Sequence, residues 1–420
     1  MRKVAIFGGI IVFIGLLLTG CQEQVPTAQA PDLAPGQGQG NQGPPQPSAD
    51  LVVPDDHSTI QGAVDAAQSG DVVMVKKGQY QEQVVINKDL TLRGQNRPTI
   101  KIPESPDQYT FPENSKQWEP ILFAYGGSAM NGDVSGSATI DVTISGFTID
   151  GQNEQPEAKR AVSILLRNVN HNGNVSDNVV RNMAVGGKET FGILVYGDSE
   201  VTIAGNRVLQ YERGGIGANG DGGAHPAPKV VIKNNQVTGS TGIGEAWGPN
   251  GIQIGYGAAG QITDNTVRDN RYSESAPVAS GILVFESDGV MVRDNKVSNS
   301  DAGIAAGSWG WLRPTTDNLK IMQNKIEEAI RGITLRAVAF GGYTMTDPSV
   351  SNTKVVNNTI SSGMTDDNIG IAVRAIDASS EYDPKAENNK VINNSISGFA
   401  SEVEDAGTAT KVHANVKPFE

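Results

Sequence analysis

Two glycine-rich segments in the second half of the chain place aromatic side chains beside charged ones. The strings GEAWGPNG, residues 244–251, and GSWGWLRP, residues 307–314, hold three of the four tryptophans. Indole rings stack on the flat faces of sugars, and a few polar groups beside them can bind hydroxyls. We therefore predict that an extended sugar chain binds here. The predicted binding residues are Tyr196, Asn219, Trp247, Gln253, Tyr256, Trp309, Trp311 and Arg313.

Two arginines occupy equivalent positions in the strings GITLRA and GIAVRA. If these strings are neighbouring strands, Arg336 and Arg374 lie side by side, and their charges repel each other unless an anion binds them. A guanidinium group binds a carboxylate with two parallel hydrogen bonds, so the pair predicts an acidic ligand. The alternative is structural, with each tryptophan only packing a loop. In that alternative the arginines pair with Asp366, Asp367 or Asp377.

These side chains need a repeating scaffold, and the sequence contains one. Asparagines recur at spacings of 28, 29, 30, 30, 29, 34 and 36 residues, each with an apolar residue two places later. A period near thirty built from short β-branched runs is typical of a solenoid, in which each repeat is one coil. Asn tolerates left-handed backbone geometry in a tight bend, and its amide can bond the Asn one coil away. The asparagines are Asn178, Asn206, Asn235, Asn265, Asn295, Asn324, Asn358 and Asn394.

A second repeated string, Gly-Ile followed by alternation, marks another strand in every coil. In each string the Ile and the residue two places later are apolar, and we predict that both point inward. The residues between and after them then face solvent. These outward positions hold neither Lys nor Glu. The strings begin at Gly192, Gly215, Gly251, Gly281, Gly303, Gly332 and Gly370.

Together these strings resemble the right-handed parallel β-helix fold of the pectate-lyase-like superfamily, over roughly residues 50–400. We predict an all-β, right-handed parallel β-helix solenoid with a short N-terminal capping helix. Residues 50–420 then form a single β-helix domain with an N-terminal cap at about 50–70, regular coils at about 174–396 and a C-terminal cap at about 397–420. Ser58 or Thr59 can cap the helix, which covers the open end of the core. Residues 103–120 are predicted to be a polar excursion.

The resemblance also implies chemistry. Many polysaccharide lyases of this superfamily neutralise a uronate carboxylate with Ca²⁺ or a basic side chain, take the α-proton with Lys or Arg, and protonate the leaving oxygen. Arg336 or Arg374 is then the candidate base, whereas a hydrolase would use Glu245 and Glu286. His225 is a further candidate acid or base. The candidate Ca²⁺ ligands are Glu245, Glu286, Asp221 and Asp288.

The specific motifs of these enzymes are missing from the sequence. It contains no named lyase string, no paired Asp and GHG strings of polygalacturonases, and no DPHE-type string of alginate epimerases. An alternative therefore stays open beside the lyase and the hydrolase. In it, the protein is a non-catalytic β-helix that binds glycan or serves as a structural spacer of the cell envelope.

The first 21 residues predict export and anchoring. They read MRKVAIFGGIIVFIGLLLTGC, with two basic residues before an apolar run, which is typical of a secretory signal. The string LTGC resembles the lipobox of bacterial lipoproteins, and Cys21 is the only cysteine of the chain. Residues 22–49 are rich in Pro, Gly and Gln and predict a flexible linker. We expect a lipoprotein at the outer membrane or cell surface, anchored in the membrane through Cys21.

The charge of the chain limits its partners. A net charge of −13 argues against nucleic acid, because phosphate binding depends on Lys and Arg. It also disfavours a polyanion unless cations bridge the two, and it suits neutral glycans or a Ca²⁺-assisted site. We expect a monomer.

Overall fold

The computed structural model describes residues 48–154, 156–184, 186–240, 248–272, 278–339, 344–362, 368–377 and 381–415. Ala49–Glu420 is one compact unit, and the other unit, Met1–Ser48, lies outside the described residues except for Ser48. The signal, the linker and Cys21 therefore stay predictions. The described part of the chain has no helix that is both long and apolar enough to cross a membrane.

A short helix, Ile60–Ala66, follows the strand Leu51–Val53 and packs on the start of the core. Thr59 caps it, since its Oγ1 accepts a hydrogen bond from the Gly62 N–H at 3.1 Å. The carboxylate of Glu82 accepts from the N–H groups of the first two helical residues, both at 2.9 Å. An acidic group at this end also complements the helix dipole. The predicted capping helix is confirmed.

Thirteen strands, one for each coil, form the first sheet, which we call sheet 1. Each strand pairs in parallel with the strand of the next coil, and side chains alternate between the core and the outside. Ile203 and Ile232, for example, are in register and fully buried. The strands are Leu51–Val53, Val72–Val75, Leu90–Gly94, Val142–Ser145, Gly173–Ser176, Glu200–Ala204, Lys229–Lys233, Ala259–Thr263, Met291–Arg293, Lys320–Met322, Lys354–Val356, Lys390–Ile392 and Lys411–His413.

Two further stacks of parallel strands, sheets 2 and 3, complete each coil. Two long strands, Lys296–Ser308 and Lys325–Ala339, run through both. The other strands of sheet 2 are Gln79–Gln81, Thr99–Lys101, Thr148–Asp150, Val179–Arg181, Arg207–Leu209, Gln236–Thr238, Thr266–Asn270, Thr359–Ser361 and Ser395–Ser397. The other strands of sheet 3 are Val84–Ile86, Gln117–Tyr125, Arg160–Arg167, Glu189–Tyr196, Gly214–Asn219, Asn250–Gly255, Ser280–Phe285, Ile369–Asp377 and Ser401–Asp405.

The Gly-Ile strings form sheet 3, and their inward residues build the core. The seven isoleucines are stacked in register from coil to coil and are fully buried, so their predicted orientation is confirmed. Burying such a side chain contributes about 1.5–3 kcal/mol. The isoleucines are Ile193, Ile216, Ile252, Ile282, Ile304, Ile333 and Ile371.

A ladder of buried asparagines joins the coils at the turn between sheets 1 and 2. Asn265 shows the pattern: its Nδ2 donates to the carbonyls of Ile232 at 2.9 Å and Thr263 at 3.0 Å, and to Asn295 Oδ1 at 3.0 Å. Its Oδ1 accepts from the backbone N–H and the Nδ2 of Asn235, both at 3.0 Å. Each amide therefore satisfies groups in the coils on both sides.

The ladder extends to Asn415, which accepts from Asn394 Nδ2 at 3.0 Å. The left-handed residue of each turn is the one before the ladder asparagine. The prediction that the ladder residue takes this geometry is wrong, because its amide can reach the next coil from an ordinary backbone. The residues with positive φ are Asp177, Gly205, Asn234, Asp264, Asp294, Gln323, Asn357 and Asn393.

An additional layer covers sheet 3 at the first coils. Tyr109–Thr110 pairs antiparallel with the start of Gln117–Tyr125, and Ser128–Met130 pairs antiparallel with Asp133–Ser135. These segments form an apolar cluster on the outer face of sheet 3, separate from the core. Residues 103–120 are thus a folded aromatic cover, and the prediction of a polar excursion is wrong.

We expect Asn265→Ala to lower the free energy of unfolding by about 3 kcal/mol, because it leaves buried polar groups of both neighbouring coils without partners. Thr266→Ala, at the exposed neighbouring position, is the control and should change stability by less than about 0.5 kcal/mol. Urea unfolding followed by circular dichroism measures both. Equal midpoints for the two variants would show that the ladder does not hold the coils together.

Candidate functional site

The outer face of sheet 3 carries the predicted site residues, and its two ends differ. At the N-terminal coils the aromatic cover buries it. Tyr196 is only 6% exposed, and its ring lies 5.0 Å from Phe111 and 6.4 Å from Trp118. Burial raises the pKa of Tyr196 well above its ordinary value. The prediction of Tyr196 as an exposed sugar contact is wrong, because the cover packs directly on it.

Amide side chains fill the next two coils. Asn250 Nδ2 donates to Gln253 Oε1 at 3.0 Å, and Gln253 Nε2 donates to Asn219 Oδ1 at 2.8 Å. Asn219 is 5% exposed and Gln253 is 4% exposed. These two predicted contacts are buried members of an amide network and offer little surface to a ligand.

The aromatic cluster, formed by Tyr256, Phe285, Trp309 and Trp311, follows at one edge of the face. Phe285 is its centre, with ring centroids 5.4 Å from Tyr256, 5.2 Å from Trp309 and 5.9 Å from Trp311, all edge to face. The two indoles are 4.6 Å apart and half-buried. The structure therefore brings three of the predicted aromatic contacts together.

Glu286 holds the loop that carries the two indoles. Its carboxylate accepts from the N–H groups of Trp311 at 2.8 Å, Leu312 at 2.9 Å and Arg313 at 3.1 Å. The residue is completely buried, and burial raises its pKa despite these hydrogen bonds. Glu286 is thus an anchor of the aromatic loop, and the prediction of a catalytic role is wrong, because no ligand reaches its carboxylate.

A third loop reaches the same edge. The N–H of Gly222 donates to the Tyr256 carbonyl at 3.0 Å, and a Cβ on Gly222 would lie 2.8 Å from the Cβ of Leu312. This loop carries His225, whose Nδ1 lies 2.5 Å from Asp221 Oδ2. Burial alone would raise the pKa of Asp221, but the hydrogen bonds from His225 and from backbone N–H groups outweigh it and lower that pKa.

The arginine cluster, formed by Arg331, Arg336 and Arg374, lies at the C-terminal coils. Arg336 and Arg374 are in register on adjacent strands, so their predicted adjacency is confirmed. Arg374 pairs with Glu404. Asp366 and Asp367 of the structural alternative lie outside the described residues, so that alternative stays open. Arg336 forms no ion pair within the described ranges. Burial, and then the charges of Arg331 and Arg374, lower the pKa of Arg336 to about 10.

Between the two clusters the described side chains are small or apolar. Leu283 and Ala305 are in register and half-buried, and Gly307 separates Phe285 from Arg336 in the neighbouring column. Phe285 and Arg336 are thus two strand spacings apart, about 10 Å. We call Leu283, Ala305 and Gly307 the floor of the site.

Three N–H groups near the floor have no hydrogen-bond acceptor among the described residues. Their buried atoms are Trp311 Nε1, Arg313 Nε and Arg336 Nε. Arg313 reaches Asp288 through its Nη2 at 3.4 Å. All three atoms are covered by protein, so no ligand reaches them in this structure.

The carboxylates named as Ca²⁺ ligands do not converge in the described part of the chain. No group of three or more His, Cys, Asp or Glu that could hold a metal ion occurs there. Asp288 accepts from Thr315 Oγ1 and from the Asp317 N–H, both at 2.7 Å. Glu245 and Trp247 lie outside the described residues, as do Asp366 and Asp367.

A model for a right handed beta helix region matches residues 191–356. The chain is a right-handed parallel β-helix. At 13–16% identity, the solved structures below show the fold alone, which is also that of the pectate-lyase-like superfamily. No curated protein matches the sequence.

Three solved structures illustrate the likeness of this β-helix to other proteins. PfbA, a surface adhesin of Streptococcus pneumoniae, gives a TM-score of 0.56 at 16% identity over 88% of this chain and 91% of the adhesin. The family 28 exopolygalacturonase of Yersinia enterocolitica gives 0.57 at 13% identity over 86% of this chain and 73% of the enzyme. The Dettilon tailspike protein gives 0.50 at 13% identity over 84% of this chain and 63% of the tailspike.

Glu212 is an ionisable residue of sheet 3 that sequence reasoning missed. It precedes the strand Gly214–Asn219 and is 2% exposed, and neither carboxylate oxygen has a hydrogen-bond partner among the described residues. Burial raises its pKa to about 7. No motif signals it, because its burial depends on how neighbouring coils pack.

We expect the free energy of unfolding to fall as pH rises from about 4.5 to about 7, because folded Glu212 keeps its proton over this range and unfolded Glu212 releases it. In the Glu212→Gln variant, the fall in the free energy of unfolding over this pH range should be smaller by about 3 kcal/mol. Urea unfolding at pH 5 and pH 8, with exposed Glu200→Gln as control, measures the difference. Parallel pH curves for both variants and the parent would contradict the burial of a protonated Glu212.

Proposed function

We propose that the protein binds an extended, uronate-containing polysaccharide on the floor of sheet 3 and cleaves it by β-elimination. The proposal rests mainly on Arg336, which lies at one end of the floor. It forms no ion pair among the described residues, and its pKa is lowered to about 10. The fold is shared with an exopolygalacturonase, which adds support at the level of fold.

The binding step rests on the two clusters at the ends of the floor. The half-buried indoles of Trp309 and Trp311 offer apolar surface to a sugar ring. About 10 Å away, Arg336 and Arg374 offer guanidinium groups to a uronate carboxylate.

The chemical step needs a base for the proton on the carbon next to the uronate carboxylate. Burial and two neighbouring positive charges disfavour the protonated form of Arg336, which is the direction that a base requires. Arg374, although paired with Glu404, keeps further N–H donors that can bind the carboxylate. When Arg336 takes the α-proton, the electron pair forms a carbon–carbon double bond, and the glycosidic oxygen leaves and takes a proton from water.

Hydrolysis is less well supported than elimination. A hydrolase needs two carboxyl groups on either side of the scissile bond. Glu286 is buried beneath the aromatic loop and bound to three N–H groups, so it does not face a substrate. We propose no step through Ca²⁺, because the described carboxylates do not gather into a site.

A second candidate function is glycan binding without cleavage. The likeness to a surface adhesin, which covers 91% of that protein, favours it. It uses the same floor and the same guanidinium groups, and it differs in that no substrate is turned over.

We expect Arg336→Ala to lower the rate of cleavage of polygalacturonate at least 100-fold, because it removes the base. Trp309→Ala should mainly weaken binding, by about tenfold. The rate of the unaltered protein should rise with pH towards about 10, since deprotonation of Arg336 activates it. Ultraviolet absorbance of unsaturated ends measures the reaction, and calorimetry measures binding.

Arg268→Ala, an exposed arginine beside Asp269, is the matched control and should behave like the unaltered protein. Unsaturated ends from the Arg336→Ala variant at the parent rate would exclude Arg336 as the base. Tight binding by the parent with no product of any kind would establish the non-catalytic candidate.

We further propose that the protein is a lipoprotein tethered through Cys21. Cys21→Ser should move it from the membrane fraction to the soluble fraction of its host, because the acylated thiol is the anchor. Fractionation followed by immunoblotting measures this. A membrane fraction of the variant equal to that of the parent would contradict the anchor.

A further inference from the structure

Four lysines form a column on the outer face of sheet 1. Lys320 pairs with Lys354, Lys354 pairs with Lys390, and Lys390 pairs with Lys411, each in register on adjacent parallel strands. All four are exposed. Neighbouring strands lie about 4.8 Å apart, so the positive charges follow one another along the solenoid axis at that interval. We call this set the lysine column.

The lysine column has no compensating acid. None of its members forms an ion pair among the described residues, although the whole chain carries a net charge of −13. Two acids, Asp317 and Glu387, lie three residues before Lys320 and Lys390 in the sequence. The Asp317 carboxylate accepts from the Ser351 N–H at 2.6 Å and from Ser349 Oγ at 2.9 Å. Four like charges in single file repel one another, so an external anion is the favourable partner.

The positions beside the column are polar or apolar and uncharged apart from the terminal His413. Two places before three of the lysines an exposed asparagine with positive φ ends the preceding turn, and two places after them an apolar residue follows. The next residue is again an exposed amide. The asparagines are Asn318, Asn352 and Asn388. The apolar residues are Met322, Val356 and Ile392. The second amides are Gln323, Asn357 and Asn393.

We propose that the lysine column binds a linear anionic polysaccharide that lies along the solenoid axis and carries carboxylates at a regular spacing. Each ammonium group meets a carboxylate, and the flanking amides exchange hydrogen bonds with sugar hydroxyls. This site lies on a different sheet from the floor of sheet 3. Its binding does not depend on Arg336.

The single-file arrangement favours this occupant over the other common polyanions. Duplex DNA carries one charge for about every 1.7 Å of its axis, far denser than one per 4.8 Å. A membrane presents charge in two dimensions, whereas the positions beside the four lysines add no Lys or Arg. Arg293, one coil earlier in the flanking column, is paired with Asp294. A linear glycan matches both the line and the neutral, hydrogen-bonding flanks.

The test uses the protein with Arg336→Ala, so that the floor of sheet 3 does not contribute to cleavage. In this background Lys320, Lys354, Lys390 and Lys411 are all changed to Gln. The matched control changes four other exposed lysines to Gln, with the same loss of charge: Lys229, Lys233, Lys296 and Lys325. Circular dichroism checks that both variants fold. The probes are labelled polygalacturonate, neutral dextran, a DNA duplex and anionic phospholipid vesicles.

We expect the column variant to bind polygalacturonate at least tenfold more weakly than the control variant and to lose most of the salt dependence. Dextran should bind neither. Equal affinities of the two variants for polygalacturonate would overturn the proposal. It would also be overturned if the unchanged column bound the duplex or the vesicles more tightly than polygalacturonate. Loss of cleavage by Arg336→Ala with column binding retained would separate this site from the proposed activity.

Discussion

A buried carboxamide must have its polar atoms hydrogen-bonded, and the rest of this structure depends on how the ladder meets that requirement. Each ladder amide donates to both neighbouring coils and accepts from the preceding one, with distances between successive amides near 3.0 Å from Asn206 to Asn394. The spacing between successive asparagines varies from 28 to 36 residues. The ladder therefore fixes the register of the coils that it spans, and additional residues are accommodated in loops away from it.

Fixed register converts a repeated sequence into columns of side chains. In one column of sheet 3, Phe285, Gly307, Arg336 and Arg374 follow one another on successive strands. Only glycine fits at position 307, because the Cβ of any other residue would lie 2.7 Å from the Arg336 carbonyl oxygen. The gap that it leaves keeps the aromatic residue and the guanidinium groups apart. The chemistry of such a face follows from which residue each coil contributes to the column.

The periodic part of this architecture could be predicted from sequence, and the non-periodic part could not. The ladder and the inward isoleucines repeat, so one rule places all of them. Tyr196 obeys the same alternation, yet it is buried, because the cover that includes Trp118 has no repeat that announces where it folds. Glu286 binds a loop 25–27 residues further along the chain, a contact that no local pattern reveals. The lysine column was within reach of sequence reasoning, since each Lys lies four residues before a ladder asparagine.

The proposed binding sites require an acidic protein to bind an acidic ligand, and the columns offer a physical reason. A net charge of −13 repels polyanions at long range, but salt screens that repulsion beyond about 8 Å at physiological ionic strength. At contact, the charges next to the ligand determine the interaction energy. Both the arginines and the lysines lie in register on adjacent strands. An anion with a matching linear spacing gains attraction at every step. A denser or broader polyanion gains it only where its charges coincide with the columns, and elsewhere it meets the acidic surface. If the proposed sites bind as described, the net charge sharpens the selection that the columns begin.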